Sequence, residues 1–315
     1  MINLRYHIVS LVAVFLALAL GMVVGGTVLN EGTGRAQRAF SDLLRRTSQQ
    51  TQAENSVLKT QNGHYQQFGD KVLPQLVHDK LKGRSVVLVQ TDRVDDTTRG
   101  AVTDALQAAG ATVAGRVSFS TDRVSLATQA DRDRLALLLG VPSSDADTLR
   151  TAMVEQFTER LTLPSRLPKD NRDRDMITGL SDAKFFADMD LPQRVTDGAD
   201  VFPKAGSLFV IIGPTDDTPT LPPKSFLVPL ADRLSARSAM PVAGVESQNA
   251  VTSWVAALRG EKDVSQRVST VDDVDAAYGQ VALVDALAAQ LGNQPAGQYG
   301  FKQGATSLLP ERLPA

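Results

Sequence analysis

Apolar positions along this chain fall into three regimes, and each predicts a different kind of segment. From residue 8 to residue 29 the run IVSLVAVFLALALGMVVGGTVL is nearly unbroken. At about 1.5 Å rise per residue, a helix of that length crosses a hydrocarbon layer of about 30 Å. A buried core helix would show a polar face, and this run has none. A cleaved signal peptide is the stronger rival. Its apolar region is usually about 7–15 residues long and ends in a small-x-small site. Here the run is longer, and the TVLNEGTG that closes it offers no such site. The pattern predicts an uncleaved membrane anchor over residues 8–30. Ala13, Ala17, Gly21 and Gly25 recur every fourth residue on one face, in the small-xxx-small form that lets membrane helices approach closely.

Residues 35–68 are polar, with apolar positions widely spaced. With Leu44 at heptad position a, one seam carries Phe40, Leu44, Leu58, Tyr65 and Phe68, interrupted by Thr47, Thr51, Glu54 and Gln61. That predicts a weak coiled-coil stalk over residues 31–72, pairing most simply in a homodimer; polar seam residues leave strand number open. A lone solvated helix is the alternative. An apposed membrane helix would raise the local concentration of a weak coil.

Beyond Pro74 short β-branched runs alternate with amphipathic stretches. Strands are predicted at residues 85–91, 111–119, 207–213 and 241–245. Helices are predicted at residues 95–109, 131–139, 147–161, 225–238, 249–258 and 278–291. Alternation of this kind predicts an α/β body with a doubly wound, mostly parallel, Rossmann-like sheet. Its first half spans residues 73–162 and its second residues 207–315. Between them, residues 163–206 are dense in Pro, Asp and Arg and read as an irregular insertion with some helix near residues 182–188.

Charge orients the anchor. Arg5 and the terminal amine precede it and Glu31 is the first charge after it, so residues 1–7 are expected in the cytoplasm and the body outside. The 315 residues carry a net charge of −2 with no long basic run, which argues against a nucleic-acid partner. Cysteine is absent, removing disulfides, thiolate nucleophiles and thiolate metal sites.

Little catalytic chemistry is visible. The first strand is followed by QTDRVDD and the third by GPTDD, neither of them a glycine-rich phosphate loop. There is no GxSxG elbow, and the three histidines, His7, His64 and His78, lie near the membrane or stalk. No enzyme and no cofactor are expected. Asp92, the pair Asp216 and Asp217, and Asp272, Asp273 and Asp275 each follow a predicted strand. They could meet at one sheet edge around Mg²⁺ or Ca²⁺. Helix caps and turns explain loop aspartates more simply. The Asp170–Asp175 run DNRDRD lacks the glycine and distal glutamate of an EF-hand. Six scattered methionines and no HxH pair leave no evident copper ligand set.

The opening MINLRYHIVSLVAVFLALALG resembles the start of the actinobacterial copper transport protein B family. The VSTVDDVD of residues 268–275, the helix after it, QYG at residues 298–300, and the stretch from Val77-His78-Asp79 to Val89 are similar to the same family. Residues 163–206 show no such likeness. The resemblance implies a protein of the mycolic-acid bacterial envelope, either a copper efflux protein or a relative of the SteB proteins. The latter would act with a membrane partner resembling SteA to control a peptidoglycan hydrolase during cell separation. Copper enters only through this resemblance. A non-enzymatic scaffold in cell separation is the reading expected first, and copper transport the alternative.

Overall fold

The computed structural model describes residues 4–142, 145–162, 176–190, 206–216 and 221–311. One helix, α1, runs Leu4–Val77, with Pro74 inside its last turn. The chain divides into two compact units, residues 1–65 and 66–315. In the first, Ile8–Gly25 has mean hydropathy 2.7 and none of it is buried. Phe40, Leu44, Leu58 and Tyr65 are exposed there too, as is Phe68 just beyond.

In the second unit β1 (Ser85–Thr91), α2 (Asp96–Ala108), β2 (Thr112–Phe119), α3 (Thr121–Ser125), α4 (Gln129–Leu139), α5 (Ala146–Thr162) and α6 (Met176–Asp182) follow one another. Then come β3 (Phe186–Asp190), β4 (Leu208–Ile212), α7 (Leu227–Arg237), β5 (Val242–Val245), α8 (Trp254–Arg259), α9 (Lys262–Ser265), β6 (Val268–Val271), α10 (Ala277–Leu291) and β7 (Gln298–Tyr299). The seven strands form one sheet ordered β3-β2-β1-β4-β5-β6-β7, parallel except for β3.

Successive side chains on a strand point to opposite faces, so a sheet covered on both sides needs continuous apolar strands. Val87 and Val89 face one core with Phe209 and Ile211, beneath α4, α5 and α7. Val86 and Leu88 face the other with Leu208, Val210 and Ile212, beneath α2, α10 and the end of α1 at Leu73 and Val77. Asp95 caps α2 by accepting from Thr98 N at 2.7 Å, and Gly110 takes φ +82° where the helix stops.

Two expectations change. The helix expected near residues 182–188 ends at Asp182, and β3 follows it antiparallel to β2. Phe185 and Phe186 are buried, and Phe186 meets Phe119 edge-on at 5.0 Å. Burying both rings favours the extended chain over another helical turn, and Arg116 clasps Asp188 across the pair at 2.6 Å. The helix expected over residues 249–258 begins only at Trp254. Ser253 caps it, its Oγ accepting from Ala256 N at 3.0 Å. The Asp170–Asp175 run lies outside the described residues.

Candidate functional site

In a parallel sheet all strands deliver their C-terminal ends to one edge, and β1 lies where the chain turns from building one side to the other. Ligands of such sheets settle outside that reversal. The loops after β1 and β4 are tied together there. Thr215 N donates to Arg93 O at 2.9 Å, and Asp95 N donates to Thr215 Oγ1 at 2.9 Å. Asp92 Oδ1 accepts from Thr121 N at 3.0 Å and from its hydroxyl at 2.5 Å. Arg93 reaches Asp216 at 3.3 Å and Asp122 at 3.4 Å. A crevice of about 50 Å³ opens between these loops.

Gly213, where a phosphate loop would begin, serves packing instead. A Cβ there would stand 1.9 Å from the Trp254 ring, and one at Gly244 would stand 2.6 Å from it. The fully buried indole lies across the ends of β4 and β5 and donates to Val245 O at 3.0 Å. Sequence reasoning missed this partner, since nothing local to Gly213 points to a tryptophan 41 positions later.

Further along the same edge lies a buried charge network. Asp272, wholly buried, receives Arg259 at 2.7 Å and the N–H groups of Phe301 and Lys302 at 2.9 Å each. Arg259 also donates to Thr270 Oγ1 and Tyr299 O at 2.7 Å. Glu246, equally buried, takes Ser253 Oγ at 2.5 Å, Val255 N at 3.2 Å and Lys302 Nζ at 2.9 Å. Gly300 holds φ +122°, and a Cβ there would fall 1.9 Å from Asp272 Oδ1. VSTVDDVD and QYG, far apart in sequence, thus meet side by side through β6 and β7.

Burial pushes Asp272 up. The hydrogen bond from Asp273, the Arg259 guanidinium and the two N–H groups outweigh it and hold the carboxyl below its ordinary value. Asp273 goes the other way, to about 8, through burial first and then the adjacent Asp272 and Asp275. Its Oδ2 has no hydrogen-bond partner. Burial raises Glu246 as well, partly offset by Ser253 and Lys302. Burial and the same three aspartates push Tyr278 up to about 12.

The strand-end aspartates are therefore not gathered round one cation. Asp216 follows β4 and Asp272 follows β6, with β5 between, roughly 10 Å at the usual strand spacing of about 4.8 Å. Each has its own guanidinium. Asp273 sits beside Asp272, and Asp217 lies outside the described residues. Among the described residues no three His, Cys, Asp or Glu are grouped to hold a metal. Of copper's soft donors, His78 is exposed beside Asp79, Met153 is buried in the core, and Met22 is exposed on the anchor helix.

Residues 1–310 match the model of a family described as copper transport outer membrane protein, MctB. The chain belongs to the MctB family. The match runs through residues 163–206, where the sequence reading found no likeness. Two relatives are each named copper transporter MctB. That of Mycobacterium tuberculosis (strain ATCC 25618 / H37Rv) is 28% identical over 324 positions, covering 98% of this chain and 99% of its own. That of Mycobacterium leprae (strain TN) is 29% identical over 323 positions, with the same coverage. MctB membership places this chain among copper-related envelope membrane proteins, and its N-terminal apolar helix is long enough to cross a membrane.

Proposed function

We propose that this chain is a single-pass envelope protein of copper homeostasis, with its N-terminus in the cytoplasm and its α/β body outside. The MctB match over residues 1–310 is the observation that carries this reading. The uncharged run between Arg5 and Glu31 supports the anchor and its direction. Among the described residues no three His, Cys, Asp or Glu are grouped to hold a metal, so copper is proposed as cargo rather than as a resident centre. The body is taken to act without catalysis, in keeping with the histidines' confinement to the first 78 residues. The sheet is read as doubly wound and Rossmann-like because strands leave β1 on both sides and helices cover both faces. The cell-separation scaffold expected from the SteB likeness gains no support from relatives named for copper transport, nor do a SteA-like partner or a hydrolase.

Deleting the gene is expected to raise cell copper and lower the copper concentration that stops growth, with rescue by the full chain. Unchanged copper content and sensitivity would end the reading. Fusing alkaline phosphatase to the C-terminus should give active enzyme, whereas activity only from a cytosolic reporter would reverse the orientation.

The exposed seam of the stalk is proposed to pair with a second copy. Replacing Leu44 and Leu58 together by Glu puts like charges at two a positions. Sedimentation of the detergent-solubilised chain should then shift from dimer to monomer, and a wild type that sediments as a monomer would defeat the pairing.

A further inference from the structure

We propose that the crevice at the C-terminal ends of β1 and β4 binds a primary alkylammonium ion. Thr91, only 5% exposed, lines it, and its Oγ1 has no hydrogen-bond partner. At its polar end, Asp216 Oδ1 is also shielded from solvent and unpartnered. Buried polar atoms left without partners are uncommon; three lie on this small chamber, and its two acceptors point to a group that supplies them with donors. Much of the remaining lining is apolar, with Leu221, Pro222, Phe226 and Leu227. A volume of about 50 Å³ admits only a few water-sized groups, enough for a chain of about five non-hydrogen atoms.

Charge decides the sign of the head group. Arg93 is the sole cationic side chain among the described lining residues. It stands among three carboxylates: Asp216 at 3.3 Å, Asp122 at 3.4 Å and Asp92 at 3.9 Å. Only Arg93 and Asp216 line the crevice and Asp122 is largely exposed, but the four side chains together sum to −2, and that field favours a monocation over an anion. The Arg93 Nε–H also lacks an acceptor. An anion seeking it would have to enter that ring of carboxylates. A hydrated metal ion suits the site poorly, because most of the wall is hydrocarbon and both Thr121 donors already occupy Asp92 Oδ1. An alkylammonium matches both ends. Two of its three N–H groups serve Asp216 Oδ1 and Thr91 Oγ1, and its methylenes lie on Leu221 and Phe226. A free alkylamine and the side chain of a lysine in a peptide share this chemistry.

Calorimetry on the full chain in detergent, with n-butylammonium, n-butyrate and n-butanol as probes, tests the proposal. Saturable binding of n-butylammonium is expected, at least ten-fold tighter than that of either of the others. Asp216→Asn should weaken it at least ten-fold and Thr91→Val about five-fold, with unchanged circular dichroism. Equal binding of butyrate or butanol, no saturable binding of the amine, or amine binding indifferent to both variants would overturn it. A Gly-Lys-Gly peptide with its N-terminus acetylated and its C-terminus amidated, so that the lysine holds its one ammonium, separates the sources. Binding of both peptide and amine assigns the site to a lysine side chain, and binding of the amine alone assigns it to a free amine.

Discussion

Replacing Arg259 by methionine is expected to destabilise the α/β body by about 3–5 kcal/mol, the usual effect of removing one partner from a buried ion pair. For a unit of this size that lowers the melting temperature by roughly 10 °C or more. The Arg259 side chain is 2% exposed and that of Asp272 0%, so water cannot replace the lost guanidinium. Four further contacts go with it, to Thr270, Tyr299 and the Lys302 and Gln303 carbonyls, and they join α8, β6, β7 and the closing segment. Thermal denaturation followed by circular dichroism measures the change. Adding Asp272→Asn to Arg259→Met should recover part of the loss, because the stranded charge disappears. Lys224→Met provides the contrast. Its partner Glu261 lies 2.6 Å away, but both side chains are exposed, and such pairs contribute about 0–1 kcal/mol. Equal effects from Arg259→Met and Lys224→Met would mean that the network contributes nothing beyond a surface pair.

This contrast marks what the sequence reveals and what it does not. The strands are legible because both sheet faces are covered, and only unbroken runs such as Val86–Val89 and Leu208–Ile212 satisfy two cores at once. The caps are legible because Asp95 and Gly110 act within a few residues of themselves. Phe185 and Phe186 read as helical under a 3.6-residue period. Only their burial, with Phe186 against the distant Phe119, makes that stretch a strand. The edge aspartates were visible as residues at strand ends, but not their partners. Arg259 stands 13 positions before Asp272 and Lys302 stands 56 after Glu246, and neither separation carries a local signal. The crevice is hidden for the same reason, since Thr91, Asp216 and Phe226 come together only when β4 aligns beside β1.

Asp273→Asn should stabilise the protein above neutral pH and leave it nearly unchanged near pH 4. The sign follows from where the proton is held. In the folded protein Asp273 keeps its proton up to about 8, whereas in the unfolded chain it is lost near 3.8. Between those values the folded state binds the extra proton, so this group's contribution is fully present below about pH 4 and is lost as pH rises toward 8. Each unit in that window is worth at most about 1.4 kcal/mol, so several units can amount to a few kcal/mol. Asp272 works in the opposite sense. Its carboxyl is held low, so its stabilisation is present at neutral pH and is lost as pH falls below the ordinary carboxylate range. The two slopes occupy different windows, and the upper one belongs to Asp273, with Glu246, also raised by burial, acting in the same sense. Asparagine can present an N–H toward Asp272 at every pH, as the protonated acid does only below about 8. Urea denaturation of both proteins at pH 5, 7 and 8.5 reads the effect. The wild type should weaken across the series while Asp273→Asn stays comparatively flat, so the gap between them widens with pH. Parallel curves would show that Asp273 ionises in the folded protein as readily as in the unfolded chain.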